Sequence, residues 1–151
     1  MQNKKTIVKK NILFVDDEPN ILNGFKRILF DQRAIWEMSF ASSVDIALVR
    51  LEETCFDVIV SDVNMPGKNG FDLLKILQGS EKTKNIPVII LTGSQDTDFK
   101  RRALELGALD LLNKPVERED LLARLNSMLR LKSYQDNLEQ KVKERTADLE
   151  C

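Results

Sequence analysis

Short apolar runs alternate with helical patterns five times along this chain, and no other feature restricts its fold as much. Between the runs, apolar residues recur at helical spacing, as Ile21, Leu22 and Phe25 do after Pro19. Alternating strands and helices predict a parallel sheet that is covered by helices on both faces. The five predicted strands are residues 11–15, 36–41, 57–61, 88–91 and 109–112.

Polar side chains follow four of the predicted strands. Asp16 and Asp17 follow the first strand, Asp62 the third, Thr92 the fourth and Lys114 the fifth. Ligands of open α/β sheets bind beyond the carboxyl ends of the strands, and right-handed crossovers limit the possible topologies. We predict an α/β fold with a flavodoxin-like, doubly wound, five-stranded parallel sheet of order 2-1-3-4-5. In that order the first and third strands are neighbours, so their acids converge.

These residue types suit phosphoryl transfer with a magnesium ion. Mg²⁺ prefers oxygen ligands and is often held by one or two carboxylates, so Asp17 and Asp62 are candidate ligands, and Asp16 could orient a bound water. A carboxylate can also act as a nucleophile and form an aspartyl phosphate. Lys114 can neutralise developing charge, and the Thr92 hydroxyl can donate a hydrogen bond to a phosphoryl oxygen.

Composition excludes several classes of function. The net charge of −1 provides no basic field for direct nucleic-acid binding, and the apolar runs are far too short to span a membrane. Residues 1–10 form a basic tail with no apolar signal core after it, so we expect a cytoplasmic protein. The chain has no histidine, which excludes zinc–histidine sites and serine–histidine catalysis, and its two cysteines lack metal-ligand spacing.

A long C-terminal helix is predicted from about Glu117, because no proline or glycine follows Pro115. Its second half shows a heptad seam, which favours a parallel coiled coil with a second copy of the chain, that is, a homodimer. A solvated single helix is the alternative. We therefore divide the chain into a core domain, residues 11–130, and a connector, residues 131–151, that ends before an expected output domain. The seam consists of Met128, Leu131, Gln135, Leu138, Val142, Arg145 and Leu149.

Four segments together resemble the signature blocks of bacterial two-component response-regulator receiver domains, over roughly residues 10–130. The connector is similar to the coiled coils that join receivers or sensor modules to histidine-kinase, diguanylate-cyclase, HD-type phosphodiesterase or phosphatase domains. The four segments are residues 14–18, 61–67, 91–93 and 113–115.

The resemblance implies that Asp62 accepts a phosphoryl group from a sensor histidine kinase or a histidine phosphotransfer protein. It implies that Thr92 and Lys114 engage this group, that the bond from Lys114 to Pro115 is cis, and that phosphorylation switches the face formed by the fourth helix, fifth strand and fifth helix. Mg²⁺ would be held by Asp16, Asp17, Asp62 and the main-chain carbonyl of Asn64.

One position departs from the family pattern. Receiver domains commonly carry Tyr or Phe three residues before the lysine, where this chain has Leu111. This chain therefore lacks the aromatic side chain that usually couples phosphorylation to the signalling face. The fourth helix, fifth strand and fifth helix would shift together instead. Asn64 and Ser94 are candidates to tune the lifetime of the phosphoryl group, or they are ordinary loop residues.

Two other functions compete with the receiver interpretation. A magnesium-dependent phosphatase with an aspartyl nucleophile needs a general acid near Asp62, commonly two residues later, where Asn64 cannot serve. A pseudo-receiver scaffold would act only through its coiled coil, although the acidic set is complete. We expect no enzyme within these residues, and any output enzyme would lie beyond residue 151.

Overall fold

Five parallel strands form the centre of the structure, in the order β2-β1-β3-β4-β5, as predicted. The computed structural model describes residues 9–93 and 97–146, with side chains as far as residue 138. Every pair of neighbouring strands is parallel, so the carboxyl ends of all five lie at one edge of the sheet. The strands are β1 (Lys10–Val15), β2 (Trp36–Ala41), β3 (Val58–Asp62), β4 (Val88–Thr92) and β5 (Asp110–Asn113).

Helices cover both faces of the sheet. Successive residues of a strand point to opposite faces, so Phe14 packs among the side chains of α1 and α5 while Val15 packs on the side of α2, α3 and α4. A short 3-10 turn, Phe30–Gln32, follows α1. The helices are α1 (Pro19–Ile28), α2 (Val44–Glu53), α3 (Gly70–Gln78), α4 (Thr97–Glu105) and α5 (Arg118–Thr146).

Side chains cap two of these helices. At the start of α2, the Ser43 Oγ accepts a hydrogen bond from the Ile46 N–H at 3.1 Å. Asn69 caps α3 through a reciprocal pair of bonds with Asp72, which the sequence analysis did not predict. The aspartates at positions 96 and 98 are of a residue type that caps helices, but Asp98 lies inside the first turn of α4 and residue 96 lies outside the described residues.

Strand β3 begins and ends one residue later than predicted. At its start, the Asp57 carboxylate accepts a hydrogen bond from the Asn11 N–H at 2.8 Å, and β3 begins at the next residue. At its end, Asp62 still pairs in register with Leu91 of β4. Asp62 is therefore held by the strand backbone itself, which gives its side chain a more rigid base than a loop would.

The first part of α5 packs on the sheet as predicted, with Leu121 and Leu125 fully buried and Leu122 partly buried. In the next turns, Leu131 and Leu138 of the seam are 36% and 65% exposed. The side chains of Val142, Arg145 and Leu149, which complete the seam, lie outside the described residues, so the coiled coil stays a prediction. None of the described helices is both long and apolar enough to cross a lipid bilayer.

Candidate functional site

The predicted site residues lie at the carboxyl ends of four adjacent strands. Asp16 and Asp17 follow β1, Asp62 is the last residue of β3, Thr92 is the last residue of β4, and Lys114 follows β5. Because β1, β3, β4 and β5 are consecutive in the sheet, these side chains share one edge. Asn64 lies two residues beyond Asp62 with its side chain exposed, and Ser94 lies outside the described residues.

Three carboxylates crowd together at this edge. Asp16, Asp17 and Asp62 each offer an oxygen that lies within 4.8 Å of the other two. Asp16 and Asp62 are buried, whereas Asp17 is half-buried. Like charges this close repel one another in a poorly solvated place, and a cation removes that repulsion. The cluster therefore favours a cation at this edge of the sheet.

The surroundings of Asp16 raise the pKa of its carboxyl group. Burial raises the pKa of its carboxyl group, the Glu18 N–H that donates to Oδ1 at 3.0 Å opposes this, and the nearby Asp62 charge raises the pKa further. Within the described residues, its buried Oδ2 accepts no hydrogen bond. The nearest cation is the Lys114 ammonium, which pairs with this oxygen at 3.5 Å. A buried carboxylate oxygen that is so weakly satisfied is costly, so this atom is suited to a metal ion. The all-oxygen donor set fits Mg²⁺.

The Lys114 ammonium lies beside the acidic cluster and partly offsets its negative charge. Its Nζ lies 3.0 Å from Asp62 Oδ1 and 3.5 Å from Asp16 Oδ2. Burial lowers the pKa of this ammonium, but the hydrogen bond to Asp62 and the charges of both acids outweigh burial, so its pKa is raised. The Lys114 N–H donates to the Thr92 carbonyl at 2.9 Å, and its bond to Pro115 is cis, as expected.

Two contacts that the sequence analysis missed support the main chain around Asp62. The Ser61 Oγ donates a hydrogen bond to the Asp62 carbonyl oxygen at 2.8 Å, and the Gly70 N–H donates to the Val63 carbonyl at 3.0 Å. Ser61 could not be singled out, because a serine in a buried strand has no distinctive pattern. Gly70 has one signal, namely a glycine placed directly before the apolar residues of a short helix.

Leu111 is half-buried on β5 and packs against the core on the side of α2, α3 and α4. It pairs in register with Ile90, two residues before Thr92. Its packing is that of an ordinary core leucine.

Comparisons with known proteins agree with this geometry. The chain is 37% identical over 134 residues to the two-component response regulator ORR21 of Oryza sativa, covering 87% of this chain and 18% of ORR21. It is 36% identical over 124 residues to the phosphate regulon transcriptional regulatory protein PhoB of Pseudomonas aeruginosa, covering 82% of this chain and 53% of PhoB. It thus spans about half or less of these two relatives.

Solved structures show the same relationship. The Vibrio cholerae chemotaxis protein CheY4 superposes with a TM-score of 0.75 at 33% identity, covering 81% of this chain and all of CheY4. Residues 12–126 match the family described as "Response regulator receiver domain". The resemblance to receiver domains noted in the sequence is confirmed, and the chain belongs to the response regulator receiver domain family.

Proposed function

We propose that Asp62 is the phosphoacceptor of this receiver domain, and that Asp16, Asp17 and Asp62 hold Mg²⁺ together with the main-chain carbonyl of Asn64. The observation that carries the proposal is the position of Lys114 Nζ, 3.0 Å from Asp62 within a cluster of three acids. A cation beside a strand-end carboxylate favours transfer of an anionic group to that carboxylate. The donor would be a sensor histidine kinase or a histidine phosphotransfer protein.

In the transfer, a carboxylate oxygen of Asp62 attacks the phosphorus of a phosphohistidine on the partner. The new O–P bond forms as the P–N bond breaks, and the electron pair returns to the imidazole nitrogen, which takes a proton from solvent. Lys114 neutralises charge on the phosphoryl oxygens, and the Thr92 hydroxyl donates to one of them. When bound, Mg²⁺ supplies further charge neutralisation.

Phosphorylation then shifts the face formed by α4, β5 and α5. Two contacts support a route to α4 that needs no aromatic residue at position 111. The Phe71 ring, at the start of α3, lies 5.1 Å from the Phe99 ring of α4, and the Arg102 guanidinium of α4 lies 4.6 Å over Phe71. The start of α3 follows the loop that leaves Asp62, so a displacement there reaches α4 through these side chains.

The exposed face of α5 joins two copies of the chain. Leu131, Tyr134 and Leu138 recur at steps of three and four residues, and all three are exposed in the single chain. A helix that projects with an apolar stripe is stabilised when a second helix covers the stripe. A change in the α4–β5–α5 face would then alter the rotation or the stability of this dimer.

A small phosphodonor tests the phosphoacceptor. Acetyl phosphate with Mg²⁺ is expected to add one phosphoryl group per chain, detected by intact-mass spectrometry and removed by hydroxylamine, which cleaves acyl phosphates. Asp62→Asn should abolish the labelling. The matched control is Asp57→Asn at the opposite end of β3, where an asparagine oxygen can still accept from the Asn11 N–H.

Two outcomes would favour other functions. Labelling of Asp62→Asn to the level of the wild type would exclude Asp62 as the acceptor, and no labelling of either protein would favour a pseudo-receiver scaffold. Sustained hydrolysis of a generic phosphoester would favour a phosphatase.

The proposed shift of the α4–β5–α5 face is tested separately by light scattering after size exclusion, with and without beryllofluoride and Mg²⁺. An unchanged mass and shape would count against this shift.

A further inference from the structure

Gly70, the first residue of α3, lies against the main chain that carries Asp62. A Cβ atom on Gly70 would lie 2.7 Å from the Asp62 carbonyl oxygen and 2.8 Å from the Val63 Cα. Both neighbours are backbone atoms, which cannot rotate away as the end of a flexible side chain can. The φ angle of Gly70 is outside the left-handed region, so the glycine is required for space and not for backbone conformation.

We infer that Gly70 is a positioning residue for the metal and phosphorylation site. Its missing side chain lets α3 approach the Asp62 main chain, and its N–H closes the loop that carries Asn64 by donating to the Val63 carbonyl at 3.0 Å. Gly70 therefore sets the position of two proposed metal ligands, although it has no side chain that could itself be a ligand. This inference depends on the proposed function, because the ligands are those proposed above.

The strain from an added methyl group would fall on Asp62 and Val63, because α3 is held firmly. Leu73 and Leu74 are fully buried, and the reciprocal hydrogen bonds between Asn69 and Asp72, 3.0 and 2.8 Å long, fix the first turn. Mg²⁺ tolerates little distortion of its octahedral shell. A shift of a few tenths of an ångström at Asp62 should therefore weaken Mg²⁺ binding.

Two other glycines provide matched controls. A Cβ atom on Gly107 would lie 2.6 Å from the Gln78 Nε2, and the φ angle of Gly107 is +115°, so alanine is strained there as well. Gly107 precedes β5 and Gln78 ends α3, which places both at the opposite edge of the sheet from the site. On α1, the Cβ of an alanine at Gly24 would meet only the Arg27 guanidinium, at 3.9 Å.

The test compares Gly70→Ala, Gly107→Ala and Gly24→Ala in the full chain. Titration calorimetry with MgCl₂ should show affinity reduced about tenfold or more in Gly70→Ala only, and initial labelling by acetyl phosphate should slow by about the same factor. Gly107→Ala should lower Tm but bind Mg²⁺ as the wild type does. Wild-type affinity in Gly70→Ala, or an equal loss in Gly107→Ala, would overturn the inference.

A measurement on the wild type covers the case in which Gly70→Ala does not fold. In ¹H–¹⁵N spectra, saturation with MgCl₂ should shift the amide resonance of Gly70 and leave those of Gly24 and Gly107 in place, whereas an unmoved Gly70 resonance overturns the inference. Failure of the proposed function can be distinguished from failure of this inference. If the wild type binds Mg²⁺ but is not labelled by acetyl phosphate, only the phosphoacceptor role of Asp62 is excluded. A wild type that does not bind Mg²⁺ overturns both.

Discussion

Among single residues, Asp16 is a carboxylate whose surroundings oppose its charge. Burial is the main reason that its pKa is raised, and Asp62 adds to it. A raised carboxyl pKa means that the native state binds a proton more tightly than the unfolded chain does. The free energy of unfolding therefore falls as the pH rises from the ordinary carboxyl pKa through the raised one. Above the raised pKa, and without a metal ion, the ionised carboxylate of Asp16 destabilises the fold.

Asp16→Asn should therefore be more stable than the wild type in EDTA at pH 7, by about 2–4 °C in Tm, or about 1 kcal/mol. Asparagine keeps an oxygen that can accept from the Glu18 N–H. The difference should shrink as the pH is lowered from 8 toward 4.5 in thermal melts followed by circular dichroism. Mg²⁺ should then raise the Tm of the wild type and leave that of the variant nearly unchanged.

If the wild type were instead more stable than Asp16→Asn at pH 7 in EDTA, neighbouring groups would offset the charge of Asp16 in the metal-free protein. Asp57→Asn is the control, since the Asp57 carboxylate lies at the far end of β3 and accepts a hydrogen bond from the Asn11 N–H. Its stability should not respond to Mg²⁺ differently from that of the wild type.

Lys114→Ala should destabilise the metal-free protein by about 1–3 kcal/mol, because the buried acids lose their nearby cation. Urea unfolding in EDTA measures this as a lower midpoint, and Mg²⁺ should restore part of the loss. Lys68→Ala is the matched control: Lys68 also pairs with a carboxylate, that of Asp45 at 2.8 Å, but both side chains are exposed. Equal losses in the two variants would refute a special role for Lys114.

The site residues that follow the strands could be predicted one by one from the sequence, whereas contacts between separate segments could not. Asp16, Asp62 and Lys114 follow apolar runs, and their residue types indicate the chemistry directly. The weakly satisfied Oδ2 of Asp16 and the close approach of Gly70 to Asp62 depend on distances between separate segments, which no local pattern contains. Positions of this kind require coordinates.

Among the elements, α5 is held to the rest of the domain by two arginines. Arg118 donates from Nε to the Ile28 carbonyl at 2.9 Å, at the end of α1. Arg124 donates to Asp110 of β5 at 2.6 Å and to Asp120, one turn earlier on α5, at 3.0 Å. These bonds fix the start of the helix relative to α1 and β5, so a shift of β5 should be passed to α5.

Arg124→Ala should lower the free energy of unfolding by about 0.5–1 kcal/mol, because it removes a partly exposed ion pair between β5 and α5. Urea unfolding measures the change, and high salt should reduce the difference from the wild type. Arg130→Ala provides a control on an exposed arginine of the same helix. Variants of equal stability at low salt would mean that the link between Arg124 and Asp110 contributes nothing.

Periodicity and the positions of helix breakers located the five strands and the five α-helices that the structure describes, but not their ends. The 3-10 turn Phe30–Gln32 was not predicted. The third strand was predicted to end at Ser61, because the apolar run stops there. It continues to Asp62, since Leu91 of the neighbouring strand still pairs with that residue. Strand ends depend on the partner strand as well as on the residues themselves, so the sequence of one segment leaves them uncertain by a residue or two.

At the scale of the whole molecule, the strand order was predictable because right-handed crossovers and an acidic cluster leave few topologies. The pairing of two chains could not be predicted on the same basis, since the heptad seam indicates only which face of α5 a second helix would cover. Leu131→Glu combined with Leu138→Glu should reduce the mass of any dimer to that of a monomer in sedimentation equilibrium. Tm measured at monomeric concentration should change little, because both side chains are exposed.

Val49→Glu is the control for that pair of substitutions. Val49 is 53% exposed on α2, which covers the other face of the sheet from α5. It should leave the mass of the protein unchanged. A dimer that survives both Leu131→Glu and Leu138→Glu must be held by another surface.

The Lys10 ammonium donates to the Ser133 hydroxyl at 3.3 Å, which shows where α5 leaves the domain. Lys10 begins β1, so the helix runs back along the sheet and departs from the edge opposite the acids. The two edges are separated by the length of a strand, roughly 15 Å. The proposed phosphodonor protein would bind over the aspartates at one edge of the sheet. An output domain attached to α5 would lie at the other edge, so the two could bind at the same time.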